Sequence, residues 1–194
     1  MTTQAASSPP TVAVLVGSVR RPRIGRLVAD WFVGRAAERD DLRTDLIDLA
    51  EVALPLTDTP PGGNPASPIA GRLAEADGFV VVTPEYNHSF PAALKNAIDW
   101  HHREWMGKPV AFVSYGAGSG GVRAVEQLRL VFAELHAATT RTGVVLTAPW
   151  ERIDAAGRFV DDGPTRRAAD ATLTELVWWA EALRAARRTR PYGS

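Results

Sequence analysis

The stretch from residue 78 to 100 changes its character twice, and it constrains the fold more than any other part of the sequence. Its first part, Gly-Phe-Val-Val-Val-Thr at 78–83, is apolar and β-branched, which is typical of a strand buried on both faces of a parallel sheet. Polar residues at 85–89 end the strand in a loop, and from Pro91 the apolar residues recur with helical spacing. A buried strand, a polar loop and a helix form the place where open α/β sheets bind ligands.

The same alternation of apolar runs and helical segments continues through the chain. Further strands are predicted at 12–16, 43–49, 109–113 and 139–147, and helices at about 25–38, 67–76, 91–100, 122–136 and 164–188. Residues 148–163 are predicted to form an exposed connection. Strands that alternate with helices favour a parallel sheet covered on both faces. The predicted fold class is therefore α/β, with a flavodoxin-like, doubly wound, five-stranded parallel sheet in the order 2-1-3-4-5 and helices on both faces.

Composition narrows the classes of function. The 22 Lys and Arg residues equal the 22 Asp and Glu residues, which argues against nucleic-acid binding and against a polybasic membrane patch. The chain has no cysteine, so thiolate nucleophiles and iron–sulfur clusters are excluded, and its four histidines form no zinc pattern. The start lacks the features of a signal peptide, and no apolar run approaches the ~20 residues of a membrane span. We expect a cytoplasmic protein with a disordered leader at 1–10, a single domain at 11–190, and no metal.

Three unusual loops follow the first, third and fourth predicted strands, whose carboxyl ends lie side by side in this strand order. The first loop, at 17–26, contains glycines, a serine and four arginines in front of a helix. Backbone N–H groups, the positive helix end and guanidinium groups suit an anion, although a solvated basic turn is the alternative. The other two loops occupy 84–91 and 114–121. We therefore expect the three loops to form one ligand site.

In this order the three loops resemble those of the NADPH-dependent FMN reductase family, a flavodoxin-like group that includes chromate- and quinone-reducing enzymes. The resemblance covers about residues 11–146. It is carried by Gly17-Ser18-x-Arg20, by Pro84-Glu85-Tyr86-Asn87-x-Ser89-x-Pro91 with Leu-Lys-Asn-Ala-Ile-Asp-Trp at 94–100, and by Ser114-x-Gly116.

The resemblance implies an enzyme with FMN as cofactor and NADPH or NADH as co-substrate. Hydride would pass in ping-pong fashion to FMN N5 and on to a quinone, free flavin or similar small-molecule acceptor, and no side chain is implied as catalytic. The first loop would hold the phosphate, while backbone amides at 84–87 would line the flavin ring. The implied cofactor-binding residues are Gly17, Ser18, Arg20, Arg23, Ile24, Gly25, Pro84, Glu85, Tyr86, Asn87, Ser114, Tyr115 and Gly116.

Two positions depart from the family pattern. His88 stands where members often carry glycine; it is either a substrate-side residue or an ordinary surface histidine. Pro22 makes the first loop stiffer than in many relatives, so the phosphate ligands after Arg20 stay open. Trp100 and Trp105 resemble a subunit contact of the family, which predicts a homodimer or homotetramer; a core role for Trp100 is the alternative. The arginines at 184–190 are interpreted as a solvated helix end.

Other functions have weaker support in the sequence. A flavin-binding electron carrier or sensor without its own NAD(P)H turnover is the main alternative, but flavodoxins tend to be strongly acidic and this chain is balanced. A hydrolase that pairs Glu85 with His88 lacks a serine on a Gly-x-Ser-x-Gly turn. The glycines at 116–121 formally match a dinucleotide fingerprint, yet they follow the fourth strand. Close packing at a helix start is the preferred interpretation of these glycines.

Overall fold

The computed structural model describes residues 8–57 and 60–193. Residues 1–7 of the predicted leader therefore lie outside the described residues. Pro10, at the end of that predicted leader, is buried, and its carbonyl accepts a hydrogen bond of 2.9 Å from the Arg43 N–H. The chain is thus anchored to its neighbouring strand immediately before the first strand begins.

Strands and helices alternate along the described chain, close to the predicted positions. The strands are β1 (Thr11–Val16), β2 (Arg43–Asp48), β3 (Gly78–Pro84), β4 (Pro109–Gly116) and β5 (Ala138–Thr147). The helices are α1 (Ile24–Ala36), α2 (Ala70–Glu75), α3 (Ala92–Asp99), α4 (Val122–Glu134) and α5 (Gly163–Thr189). Two short 3₁₀ helices that the sequence did not predict, Leu49–Glu51 and Pro149–Arg152, follow β2 and β5.

The strands form one parallel sheet in the order β2-β1-β3-β4-β5, which confirms the predicted fold class. Every residue of β3 and β4 is buried, because both strands lie inside the sheet and helices cover both faces. The register pairs Val16 with Val82, and Pro84 with Tyr115. The central strands therefore end at neighbouring points of one edge, and their loops start side by side.

The helices divide the core into two layers. Phe32 of α1 and Leu173 of α5 pack on one face of the sheet. Leu73 of α2, Leu94 of α3 and Leu128 of α4 pack on the other. Because successive strand residues point to opposite faces, each central strand contributes to both layers. Burial of these side chains against the sheet supplies most of the stability that holds the strand ends in place.

Trp100 and Trp105 belong to this core, so their interpretation as a subunit contact was wrong. Trp100 is 5% exposed, and its indole N–H donates to the Pro55 carbonyl at 3.0 Å. Trp105 is fully buried, and its indole N–H is shared between the carbonyls of Ile98 and His101. The indole N–H is the only polar group of each ring, and in both it has a hydrogen-bond partner within the chain.

The basic end of α5 also differs from the prediction of a solvated helix terminus. Arg184 is buried, and its guanidinium lies 3.2 Å from the Asp77 carboxylate. Arg187 lies 3.3 Å from the other oxygen of the same carboxylate. Asp77 additionally accepts a hydrogen bond from the Thr11 N–H. These contacts fasten the end of α5 to the starts of β1 and β3.

No helix in 8–57 or 60–193 is long and apolar enough to cross a membrane. The same residues contain no group of three or more His, Cys, Asp or Glu side chains placed to hold a metal ion.

Stability is expected to fall as the pH drops below about 6.5, because of His101. Its ring lies 2.6 Å (Nδ1) from the Ala97 carbonyl and 2.8 Å (Nε2) from the Ser67 hydroxyl. A carbonyl only accepts, so Nδ1 donates; in the neutral ring Nε2 then accepts from the Ser67 hydroxyl, and both ring nitrogens are satisfied. Burial lowers the pKa of this imidazole. Below this pH His101 therefore binds a proton more readily in the unfolded chain than in the folded one. The free energy of unfolding then falls by up to about 1.4 kcal/mol per pH unit.

Urea unfolding at pH 7.5 and 5.5 measures this effect. The His101→Gln variant should lose less stability between the two pH values than the wild type does. His102→Gln, at the adjacent half-buried position, is the matched control and should keep the wild-type difference. Equal pH differences in all three proteins would show that His101 does not titrate in this way.

Candidate functional site

The loops after β1, β3 and β4 converge on a cavity of about 460 Å³, as the sequence predicted. They are called the first, third and fourth loops, after the strands that they follow. This volume lies within the range of about 300–1,000 Å³ that small-molecule sites occupy. The cavity lies at the carboxyl edge of the sheet, where ligands bind in open α/β folds. Its lining residues are Ser18, Arg20, Arg21, Pro22, Ile24, Pro84, Glu85, Tyr86, Tyr115, Gly116, Ala117 and Trp150.

The first loop is fixed to the sheet by its backbone. The Gly17 N–H donates to the Val82 carbonyl at 2.9 Å, and a Cβ at residue 17 would come within 3.1 Å of the Leu94 side chain. Arg23 donates to the Ser18 carbonyl and forms an ion pair with the buried carboxylate of Asp48. Arg23 does not line the cavity, since its guanidinium is committed to holding the loop.

Arg20 and Arg21, in contrast, line the cavity and form no ion pair within residues 8–57 and 60–193. The Arg20 guanidinium lies 4.2 Å from the centre of the Tyr86 ring, a cation–π contact that orients it without neutralising it. The helix α1 begins at Ile24, and no side chain caps its amino end. The Ile24 and Arg26 N–H groups donate to the carbonyls of Pro22 and Arg23, so the free donors at this positive end of the cavity are supplied by the guanidinium groups, which suit a phosphate.

The third loop folds back as a tight hairpin at 86–89. Tyr86 and Ser89 exchange backbone hydrogen bonds of 2.8 and 3.0 Å, and both residues between them have positive φ: 51° for Asn87 and 69° for His88. Turns of this kind favour asparagine followed by glycine, which gives a physical reason for the glycine that the family resemblance implies at position 88. His88 is exposed and does not line the cavity.

Glu85 joins the third loop to the fourth. Its carboxylate accepts a hydrogen bond of 2.6 Å from the Ser119 hydroxyl and pairs with the Arg123 guanidinium at 2.9 Å. Its N–H donates to the Tyr115 carbonyl at 2.9 Å. The pairing of Glu85 with His88 that a hydrolase would need does not occur. The N–H groups of Glu85 and Tyr86 are likewise engaged within the protein, so of the backbone amides expected to line a ligand at 84–87 only that of Asn87 remains.

Two tyrosines form the wall between the first and fourth loops. The Tyr86 hydroxyl lies 2.8 Å from the Ser18 hydroxyl, which links the third loop to the first. Tyr115 is buried, and a Cβ at residue 25 would stand 2.6 Å from its hydroxyl, so only Gly25 leaves room for the phenol. Burial raises the pKa of Tyr115, and the ring stays a neutral phenol at physiological pH.

The glycine-rich fourth loop packs closely against β4. The Ser114 hydroxyl donates to the Gly120 carbonyl at 2.8 Å. Gly120 and Gly121 have φ values of 60° and 89°, and a Cβ at residue 121 would lie 2.8 Å from the Tyr115 nitrogen. Close packing at the start of α4 is confirmed as the reason for Gly121, in preference to a dinucleotide fingerprint.

The predicted site residues thus separate into two groups. Those that line the cavity are Ser18, Arg20, Ile24, Pro84, Glu85, Tyr86, Tyr115 and Gly116. Those that instead shape the loops or lie at the hairpin tip are Gly17, Arg23, Gly25, Asn87 and Ser114. The sequence missed Arg21, Pro22, Ala117 and Trp150. The first three adjoin predicted residues. Trp150 instead follows β5, and the sequence signalled it only as a large aromatic residue in a connection predicted to be exposed.

The chain is similar to several known proteins. The family model described as NADPH-dependent FMN reductase matches residues 10–151. An NAD(P)H-dependent FMN reductase of Schizosaccharomyces pombe is 38% identical over 159 residues, which cover 74% of this chain and 76% of that protein. A 2-hydroxy-1,4-benzoquinone reductase of Burkholderia sp. is 33% identical over 181 residues, covering 87% and 94% respectively. The solved flavoenzyme NAD(P)H:(acceptor) oxidoreductase of Paracoccus denitrificans has a TM-score of 0.69 at 25% identity, over 89% of this chain and 98% of that one.

Proposed function

The chain belongs to the NADPH-dependent FMN reductase family, and from this membership we propose how its own residues hold the cofactor and the substrates. The protein is an FMN-dependent oxidoreductase that uses NAD(P)H. Bound FMN supplies a ring nitrogen that accepts hydride and returns it to a second substrate. The protein itself supplies position and electrostatics, which agrees with a site that contains no free catalytic acid or base among its described lining residues.

The positive end of the cavity takes the FMN phosphate. Arg20 and Arg21 provide charge without a counterion among the described residues, and the start of α1 adds the positive end of its helix dipole. A phosphate bound there accepts charge-assisted hydrogen bonds from these two guanidinium groups, which form no ion pair with a described carboxylate. The pair of unneutralised arginines in the cavity is the observation that carries this assignment.

The remaining lining residues suit a flat ring system. Ile24, Pro84, Tyr86 and Tyr115 present apolar or aromatic surface. The N–H groups of Asn87 and His88 have no partner among the described residues and stay available to carbonyl groups of a ligand near the hairpin tip. His88 remains a proposed substrate-side residue for this reason, through its backbone and its position rather than as a cavity-lining side chain.

Quinones are the proposed class of acceptor. Relatives of this chain are named 2-hydroxy-1,4-benzoquinone reductase in Burkholderia sp. and, at 32% identity over 174 residues, NADPH:quinone oxidoreductase in Arabidopsis thaliana. Free flavin is the second acceptor, because other relatives are named FMN reductases. Both are flat and electron-poor, and both fit a cavity with aromatic walls.

Anaerobic titration distinguishes the enzyme from a flavin-binding carrier. The purified protein should carry the yellow flavin absorbance near 450 nm, and one equivalent of NADPH or NADH should bleach it. Added menadione should then restore the colour as the quinone is reduced. A protein that binds FMN but is not bleached by either nucleotide within minutes would support the carrier or sensor alternative instead.

Assembly and location stay proposals. Exposed large apolar residues occur on the edge strand β5 (Val145) and on the two helices that pack against it from opposite faces, α4 (Leu130) and α5 (Trp178), and they support a homodimer or homotetramer. Light scattering measures the mass of the assembly. The cytoplasmic location and the single FMN-binding domain at 11–190 also stay predictions, which cell fractionation and limited proteolysis address.

A further inference from the structure

We propose that Trp150 is the residue that selects flat quinone acceptors, by stacking against their ring at the mouth of the cavity. The proposal rests on the proposed function, because it concerns the second substrate of the same site. No predicted site residue lies in this segment, which follows β5 and forms a fourth wall beside the three loops.

The segment leaves the sheet in an unusual backbone conformation. Ala148 has a φ of 45°, which is unfavourable for a residue with a Cβ and persists only when its surroundings enforce it. Its N–H donates to the Gly116 carbonyl at 2.8 Å, so this residue is tied to the fourth loop. Pro149 is buried, and the Glu151 N–H donates to the Ala148 carbonyl at 3.0 Å. These contacts fix the direction in which the chain enters the 3₁₀ helix that carries Trp150.

The far end of the same turn is braced by Arg152. Its guanidinium donates to the Val160 carbonyl at 3.0 Å and to the Thr165 hydroxyl at 3.2 Å. It also lies 4.9 Å from the centre of the Phe159 ring. Trp150 therefore lies between Ala148 and Arg152, both of which are fixed by hydrogen bonds, whereas the sequence predicted only an exposed connection here. A rigid position reduces the entropy lost when a ligand ring stacks on the indole.

The indole is the free aromatic surface at the cavity. Trp150 is 44% exposed, and its ring has no aromatic or cationic partner among the described residues. The other two aromatic lining residues are occupied: Tyr86 has Arg20 over its ring, and Tyr115 is buried. An unpartnered aromatic ring at the opening of a ligand cavity is suited to stack on a second, electron-poor ring. A quinone has such a ring, whereas ferricyanide accepts electrons without a flat face.

Steady-state kinetics of Trp150→Ala and Trp150→Phe test the proposal with the FMN-loaded protein. For Trp150→Ala, the ratio of kcat/KM with menadione to kcat/KM with ferricyanide should fall by roughly 3- to 10-fold, mainly through a higher KM for menadione. Trp150→Phe keeps a ring at this position and should restore the ratio to within about 2-fold of the wild type. Tyr192→Ala removes another exposed aromatic side chain, near the end of the chain and outside the cavity, and should leave the ratio unchanged.

The outcomes separate this inference from the proposed function. An unchanged ratio in Trp150→Ala, or an equal loss with both acceptors, would overturn the role of Trp150. Loss of FMN from Trp150→Ala would assign the indole to the cofactor and would also overturn it. A wild-type protein that binds no FMN or oxidises no NAD(P)H would instead refute the proposed function itself, before any variant is compared.

Discussion

Replacing Gly121 with alanine is expected to lower the free energy of unfolding by about 3 kcal/mol. The residue has a φ of 89°, and the left-handed conformation costs an alanine about 1–2 kcal/mol. The added Cβ would also lie 2.8 Å from the Tyr115 nitrogen and 2.9 Å from its carbonyl oxygen. These are backbone atoms of a buried strand, which cannot move aside, and overpacking of this kind costs about 1–3 kcal/mol.

Urea denaturation followed by circular dichroism measures this loss. Gly118→Ala is the matched control, because residue 118 lies in the same loop, has an ordinary φ, and would meet no atom within 4 Å of an added Cβ. The control should change the free energy of unfolding by less than about 1 kcal/mol. Similar losses in the two variants would contradict the argument from close packing at residue 121.

Replacing Arg20 with alanine is expected to weaken FMN binding by about 10- to 100-fold. A hydrogen bond between charged groups contributes about 1.5–3 kcal/mol, and Arg20 lines the cavity without a counterion in the described part of the chain. Its contact with the Tyr86 ring also orders the side chain before a ligand arrives, so the alanine variant loses an already positioned cation. The flavin content of the purified protein and a fluorescence titration with FMN measure the change.

Two further variants control for charge and for shape. Arg20→Lys keeps the positive charge but loses the planar fork, so its affinity for FMN should lie between those of the wild type and the alanine variant. Arg167→Ala removes an exposed arginine on α5, outside the cavity, and should retain full flavin content. If Arg20→Ala also retained full flavin content, the phosphate would have to bind elsewhere in the cavity.

The local pattern of the chain was sufficient to predict the sheet and the position of its ligand edge. The apolar run at 78–83 becomes β3, fully buried, and the polar residues after it form the predicted loop. The helix boundaries agree within a few residues, because caps, prolines and apolar spacing are local signals. Since strand order in a doubly wound sheet brings particular loops together, the convergence of three loops followed from the same signals.

Side-chain partners could not be predicted in this way. Arg20 and Arg23 look equivalent in sequence, yet Arg23 is paired with Asp48 of β2 and Arg20 is not. Trp100 was predicted to contact another subunit, but its indole N–H donates a hydrogen bond to the carbonyl of Pro55, which is distant in sequence. In each case the deciding neighbour comes from another element of the fold.

The sequence by itself determined the fold class, the edge of the sheet at which ligands bind, and the family, because apolar periodicity and a long loop motif are properties of short stretches. Only the tertiary structure decided which arginines remain available to an anion, which tryptophans are core, and that Trp150 after β5 completes the cavity. The physical reason is that the free energy of a charge or a ring depends on what surrounds it, and those surroundings are assembled from distant parts of the chain.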